Sequence, residues 1–197
     1  LTASLDNSTI VSVADLNGRI VKVNQIFCDI SGYSKEELLG QNHRLINSGY
    51  HPREFWAEMW KTVSQGKTWR AEVCNRNKNG EIYWVDTVIN PIYNVEGKIY
   101  QYLSIRNIIT ERKKAEKLAQ LNTILKDRSN ITELGNSHYF DMVLKGLLDL
   151  TESEYGFMGE VFYENEQPYL KTYALTNIAW NEETKKFYEE HAPQGLE

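Results

Sequence analysis

Three stretches of alternating apolar and polar residues, joined by short turns, constrain the fold of this chain more than any other feature. The first stretch, residues 68–77, is followed by Lys-Asn-Gly at 78–80. The second, residues 81–93, is followed by Asn-Val-Glu-Gly at 94–97, and the third covers residues 98–109. Strands joined by turns this short pair antiparallel, because a parallel pair needs a crossover of about a dozen residues or more. This part of the chain is therefore predicted to form an antiparallel sheet.

A further hairpin and several short helices precede these strands. Residues 9–13 and 19–24 alternate on either side of an Asn-Gly turn, which is a hairpin signature. Asn24 and Ser34 can each cap a helix, and Pro52 stands where the first residue of another helix is expected. Two strands, short helices and then three strands predict an α+β fold: a five-stranded antiparallel sheet with its helices on one face.

Composition excludes several classes of protein. The formal net charge of −5 argues against a nucleic-acid partner. Cys28 and Cys74 lack the spacing of metal ligands, so we predict no metal site and expect a reducing compartment. No apolar run approaches the ~20 residues that cross a bilayer, and the first residues lack the pattern expected of a signal peptide. We expect a cytoplasmic location and no membrane contact by this fragment. Since the chain begins at Leu1, we interpret it as a piece of a longer protein.

Residues 110–125 form a charged segment without Gly or Pro. Leu118, Leu121 and Leu125 recur at 3-4 spacing and make a thin apolar seam. We favour a homodimer in which two such helices pair in parallel, because a thin stripe buries little against a globular surface. Packing of the helix on its own domain is the alternative. Residues 110–130 are accordingly assigned to a linker helix.

The remaining residues, 131–197, predict an amphipathic helix followed by a hairpin that turns at residues 165–168. Trp180 and Phe187 then remain as unplaced apolar side chains. A helix and two strands cannot bury a complete core. We interpret this segment as the opening part of a second domain, with Phe157, Val161 and Tyr173 short of partners.

Four motifs together resemble a PAS domain over residues 1–109. They are "DLNGRIVKVN", "FCDISGYSKEELLGQN", "WRAEVCNRNKNGEIYWVDTVINPI" and "ITERKKAE". Within that family, "NHRLINSG" and "YLSIRN" are most similar to the flavin-binding redox sensors of the aerotaxis and nitrogen-regulation type. "SEYGFMGEV", "PYLKTYALTNIAWNEET" and "APQGLE" resemble the beginning of a GAF domain, as in bacterial sensor kinases. The resemblance therefore implies a PAS domain, a linker helix and a partial α+β GAF domain.

The resemblance also implies a set of cofactor-binding residues for FAD or FMN. Asn42 and Arg44 match positions that contact flavin and its phosphate in the light-sensing LOV branch, and Asn75 matches an Asn at the ring edge. Alternation places Trp69 on the same strand face as Asn75, where it can form an aromatic wall. Each of these residues also has a purely structural interpretation, such as a turn cap for Asn42 or a surface ion pair for Arg44. A pocket that is empty or holds another small molecule is the alternative to flavin.

Several positions depart from the LOV pattern. His43 stands where LOV domains carry the Cys that bonds to flavin, and imidazole cannot form that thioether. Val85 and Arg106 replace two further flavin-contacting amides. His43 and His51 are expected to be exposed. Ile108 replaces the Asp that commonly ties the last strand to the exit helix, and an apolar contact is expected there.

No catalytic residue is predicted, because no motif places a Ser-His-Asp or Cys-His grouping. We interpret the fragment as a sensory module of a signal-transduction protein, with a histidine kinase of a two-component phosphorelay as the C-terminal output. The alternatives are a ligand-free structural dimerisation module and a regulator of a cyclic-dinucleotide enzyme.

Overall fold

The computed structural model of this protein describes residues 9–126, 136–151 and 153–176. The chain divides into two compact units, Leu1–Lys113 and Lys114–Glu197. In the part of the chain that is described, no helix is long and apolar enough to cross a membrane.

The first unit begins with the expected β-hairpin. Strands β1 (Thr9–Ala14) and β2 (Ile20–Val23) pair antiparallel across a turn that contains Gly18. Gly18 has a φ of 76°, and a Cβ added there would lie 2.9 Å from the ring of Trp60. This turn therefore needs glycine both for its left-handed backbone and for the close approach of the tryptophan.

Four helical segments follow the hairpin: α1 (Gln25–Ser31), α2 (Lys35–Leu38), a 3₁₀ helix (His43–Ile46) and α3 (Arg53–Ser64). The Asn24 side chain accepts the N–H of Phe27, and Ser34 and Glu37 form the capping box predicted for α2. Pro52 is the N-cap of α3 rather than its first helical residue. These local signals therefore place the helix starts to within one residue.

Strands β3 (Trp69–Arg76), β4 (Ile82–Tyr93) and β5 (Ile99–Ile108) complete the sheet. The strand order is β2-β1-β5-β4-β3, and every neighbouring pair is antiparallel. The predicted five-stranded antiparallel sheet is confirmed. Strand β5 lies at its centre, between β1 and β4.

One apolar core lies between the sheet and the helices. Its fully buried members include Ile10 of β1, Phe27 of α1, Leu38 of α2, Val63 of α3 and Val85 of β4. Since one sheet face and all three α-helices contribute to this core, the helices cover that face, as predicted. A cavity opens within the same layer.

Helix α4 (Thr110–Lys126) follows β5, and the division between the two units falls within it. The second unit also contains α5 (Asn136–Thr151) and a hairpin of β6 (Phe157–Glu164) and β7 (Gln167–Leu175). The hairpin turns at Asn165 and Glu166, which have φ values of 51° and 66°. A two-residue turn of this kind suits the twist of a hairpin. Strand β7 therefore begins at Gln167 and includes the last two residues of the turn that was predicted over residues 165–168.

The three leucines of α4 do not form one exposed seam. Leu121 is only 4% exposed, and a Cβ added at Gly146 of α5 would lie 2.9 Å from its side chain. Leu121 therefore packs inside the second unit, whereas Leu118 and Leu125 are 47% and 46% exposed. The expectation that Leu121 faces a second copy of the chain was wrong in this respect, because α5 covers it.

The hairpin of the second unit buries few of its apolar side chains. Phe157 and Val161 are exposed, as expected for an incomplete sheet, while Tyr173 stacks on Phe140 at 4.6 Å between ring centroids. Trp180 and Phe187 lie outside the described residues. The GAF interpretation of this unit stays a prediction, as do the boundaries 1–109, 110–130 and 131–197.

Candidate ligand-binding site

A cavity of about 610 Å³ lies within the first unit, between the inner face of the sheet, α3 and the 3₁₀ helix. Its volume is within the range of small-molecule sites. The wall is largely apolar and includes Ile46, Met59, Val63, Trp69, Val73 and Ile89. A flat, mostly apolar ligand can therefore be buried here.

All four residues predicted to bind a cofactor line this cavity. Trp69 is buried, and its Nε1–H donates to Glu58 of α3 at 2.8 Å, which fixes the ring as part of the wall. Asn75 is also buried, and its Nδ2 has no hydrogen-bond partner in the structure. Asn75 is therefore the predicted residue whose side chain most needs a ligand.

Asn42 and Arg44 lie on the 3₁₀-helix side of the cavity and differ from each other. The Asn42 side chain accepts the N–H of Arg44 at 3.1 Å and donates to the carbonyl of Asn17 at 3.2 Å. Asn42 thus acts as the turn cap that the sequence offered as its structural interpretation. Arg44 is exposed, and among the described residues it has no ion-pair partner.

A second arginine lies at the same rim. Arg53, at the start of α3, is exposed and lines the cavity together with Arg44, and it also lacks a described ion-pair partner. Two unpaired guanidinium groups suit a phosphate, because each can donate two parallel N–H bonds. Sequence reasoning missed Arg53, although its position next to Pro52 at a helix start was visible.

Three further buried polar atoms without partners line the cavity: Trp56 Nε1, Thr87 Oγ1 and Ser104 Oγ. An unpaired buried polar group costs about 1–3 kcal/mol, so several around one cavity are unusual for a packed core. Thr87 lies on β4 and Ser104 on β5, both facing the interior. The sequence analysis did not select them, since Ser and Thr at alternating strand positions are common.

The sheet side of the cavity forms its floor, where Asn75, Thr87 and Ser104 lie. Arg106 of β5 adds a charged group to this floor. Its side chain lines the cavity and is 6% exposed, and Nη1 donates to Ser12 Oγ at 3.2 Å. Ser12 Oγ lies 3.0 Å from His43 Nε2, so a chain of three polar side chains spans β5, β1 and the 3₁₀ helix. The guanidinium also lies 5.3 Å from the centre of the Phe27 ring, a cation–π distance.

Neither histidine is exposed, contrary to expectation. The His43 ring stacks on Phe27, and burial together with the Arg106 cation lowers the pKa of His43 to about 3. His51 packs against the Phe55 ring at 4.0 Å, and its Nε2 accepts the N–H of Cys74 at 2.9 Å. Both side chains are drawn inward by contacts with residues distant in sequence, which alternation along the chain could not reveal.

The exit from β5 into α4 is tied by a hydroxyl group. Trp84 N–H donates to Thr110 Oγ1 at 2.9 Å, and Ile109 N–H donates to the Trp84 carbonyl at 2.8 Å. Lys113 lies over the Trp84 ring at 5.2 Å. Ile108 is 40% exposed, so the apolar contact expected at that position was wrong. Thr110 supplies a polar tie two residues later instead.

The polar groups fit the edge of a flavin ring system. That edge carries both hydrogen-bond donors and acceptors, and the cavity offers an amide at Asn75, hydroxyls at Thr87 and Ser104 and a guanidinium at Arg106. The apolar walls match the body of the ring, and Arg44 and Arg53 stand where a phosphate can reach solvent. The residues present therefore fit FAD or FMN.

Comparison with known proteins agrees with this architecture. The family model described as the PAS fold matches residues 20–106. The nitrogen fixation regulatory protein of Klebsiella oxytoca is 38% identical over 103 residues, which are 52% of this chain and 21% of that protein. The aerotaxis receptor of Escherichia coli (strain K12) is 39% identical over 110 residues, which are 56% of this chain and 22% of that protein. The chain thus spans about a fifth of the length of these curated relatives.

A solved structure shows the same fold. The structure of an RNA-binding light-oxygen-voltage receptor superposes with a TM-score of 0.52 at 24% sequence identity, and the match covers 58% of this chain and 35% of that chain. At this identity the likeness concerns the fold alone. The family-model match over residues 20–106 and the strand order β2-β1-β5-β4-β3 both support the PAS fold that the sequence resemblance indicated.

Proposed function

We propose that the PAS segment binds a flavin nucleotide, FAD or FMN, and that the fragment is the sensory part of a longer signal-transduction protein. The carrying observation is the 610 Å³ cavity whose lining includes four buried polar atoms without partners, on Trp56, Asn75, Thr87 and Ser104. A bound ligand with a mixed polar edge would satisfy these atoms. The likeness to an aerotaxis receptor and to a nitrogen fixation regulatory protein supports a sensory role.

Different residues of the cavity bind different parts of the flavin nucleotide. Trp69 and its neighbours exclude water from the ring body, Asn75 and the floor hydroxyls orient its polar edge, and Arg44 and Arg53 hold the phosphate. Flavin, when bound, supplies electron exchange and so makes the site responsive to redox conditions. His43 cannot form a thioether, so the light-driven adduct of LOV domains is excluded.

A route for the signal runs along β5. Ser104 and Arg106 reach the cavity floor from this strand, and the same strand continues into α4 at Thr110. Arg112 and Lys113 in the first turn of α4 both pair with Glu72 of β3. A change in the ligand would shift β5 relative to these ties and bias the helix that leads to the output domain. We propose a histidine kinase as that output.

The experiment is an absorbance spectrum of the protein purified after expression with riboflavin supplied. We expect a yellow protein that absorbs in the blue and near-ultraviolet and releases flavin on denaturation. Mass spectrometry of the released compound then distinguishes FAD from FMN. A colourless protein that neither retains nor takes up flavin would reject the proposal.

Dimerisation through α4 is a second candidate role, favoured by two exposed leucines. Leu118 and Leu125 lie seven residues apart on a charged helix and remain uncovered in the structure. Such spacing suits a coiled-coil contact with a second copy of the chain. A ligand-free dimerisation module would associate through this helix but bind no flavin, so the absorbance experiment also separates the two roles.

A further inference from the structure

Arg106 is a buried cation without a counter-ion. Its side chain is 6% exposed, and throughout the described ranges no carboxylate forms an ion pair with it. Its hydrogen bond to Ser12 and its contact with the Phe27 ring are interactions with neutral groups. A charge buried in this way is costly, because neutral partners replace only part of its hydration.

The titratable groups that face Arg106 do not compensate its charge. They are His43, from the 3₁₀ helix, and Tyr83, from β4. His43 is neutral at neutral pH, since its pKa is lowered to about 3, and burial raises the pKa of Tyr83 to about 12, so the phenol is neutral as well. Burial lowers the pKa of Arg106 only to about 10, so the guanidinium stays protonated. The deep end of the cavity therefore carries one uncompensated positive charge.

Neighbouring donors reinforce this polarity. Thr87 is the direct cross-strand partner of Arg106, and its hydroxyl has no partner, like that of Ser104 two residues away on β5. The unpaired Nδ2 of Asn75 is a donor only. The guanidinium of Arg106 and the hydroxyl of Thr87, which lie opposite each other on neighbouring strands, can donate to the same ligand edge. Such a set favours negative charge on that edge in a water-poor environment.

We propose that Arg106 makes the cavity bind the reduced, negatively charged flavin ring more tightly than the oxidised, neutral ring, an inference that rests on the proposed function. Uptake of two electrons and one proton by the oxidised ring leaves one negative charge, and the guanidinium lies in the cavity to neutralise it. Arg106 is in this role a residue that determines which redox form of the ligand is favoured. His43, kept neutral beside it, adds no second charge and accepts no proton from the site near neutral pH.

The test is a reductive titration with dithionite of the flavin-loaded protein, as wild type and as Arg106→Gln. We expect the substitution to lower the ratio of reduced-form to oxidised-form affinity at least tenfold, which lowers the two-electron midpoint potential by about 30 mV or more. Lys22→Gln is the matched control, because it removes the same formal charge from an exposed position on β2, outside the cavity. In the control, the ratio of reduced-form to oxidised-form affinity should stay within threefold of the wild-type ratio.

A measurement on the wild type keeps the inference falsifiable if Arg106→Gln does not fold. The bound reduced ring should take up its next proton at least one pH unit below the pH at which free reduced flavin does so in the same buffer, followed by absorbance. Protonation at the same or a higher pH would overturn the inference, as would an unchanged potential in a folded Arg106→Gln. In either case oxidised flavin still binds and the proposed function stands. Failure of oxidised flavin to bind overturns both.

Discussion

At the scale of single residues, substitution of Asn75 tests whether its side chain contacts a ligand or has only a structural role. Its buried Nδ2 has no partner, and it lines the cavity near the opposite end of β3 from Trp69. We predict that Asn75→Ala weakens flavin binding by about 1–3 kcal/mol, because the ring edge loses its amide partner. Fluorescence titration with FMN or FAD measures this change. Asn79→Ala, in the exposed turn after β3, is the control. Equal affinities for the two variants would show that Asn75 does not contact the ligand.

His43 makes a separate, ligand-independent prediction. The unfolded chain protonates this side chain near pH 6.5, whereas the folded protein holds its pKa at about 3. Between these values the unfolded chain binds one more proton, so folded-state stability falls as the pH drops from 6.5 towards 3. The contribution is at most about 1.4 kcal/mol per pH unit.

His43→Gln removes this proton while keeping a side chain that can accept from Ser12. Urea unfolding of both proteins at several pH values between 4 and 7 should give a shallower loss of stability in the variant. Protonation of carboxylates in acid destabilises both proteins equally, so the difference between their pH profiles of stability is due to His43. Parallel pH profiles would contradict the burial of a neutral imidazole.

At the scale of elements, the junction of β5 and α4 depends on one hydroxyl. Thr110 Oγ1 accepts the N–H of Trp84, whereas the sequence analysis had expected an apolar contact at Ile108 to tie this junction. We predict that Thr110→Val destabilises the first unit by about 1 kcal/mol and speeds hydrogen exchange at the Trp84 amide. Thr123→Val is the matched control on the same helix, since its hydroxyl bonds only within α4. Unchanged exchange at Trp84 would show that the tie is unimportant.

At the scale of the whole molecule, the exposed leucines of α4 predict self-association. The double variant Leu118→Asp, Leu125→Asp should lose most association at micromolar concentration, because burial of each leucine is worth about 1.5–3 kcal/mol. Its circular dichroism should stay unchanged, since both side chains are exposed within one chain. Leu121→Asp should instead unfold the second unit, where Leu121 is buried.

Sedimentation velocity decides the question of assembly. A wild type that stays monomeric at high concentration, or a double variant that remains dimeric, would show that α4 is not the interface. Loss of association in Leu121→Asp alone would carry no weight, because unfolding of its own unit explains it.

Much of the first unit was predictable because its signals are local. The Asn-Gly turn at Gly18, the caps at Asn24 and Ser34 and the alternation of the five strands each depend on residues a few positions apart. The four predicted site residues also line one cavity. The resemblance indicated Asn42, Arg44 and Asn75, and strand alternation indicated Trp69. The turn of the second hairpin was misplaced by two residues, because Gln167 and Pro168 continue a strand that their residue types disfavour.

The sequence by itself determined which segments become strands and helices, because periodicity and capping act within a few residues along the chain. Only the tertiary structure decided that Thr87 meets Arg106, that His43 turns inward to Ser12 and that α5 covers Leu121. These contacts depend on strand register and helix packing, which join residues far apart in the chain. The charged floor of the cavity exists only because the sheet places β5 between β1 and β4, and no local pattern encodes that neighbourhood.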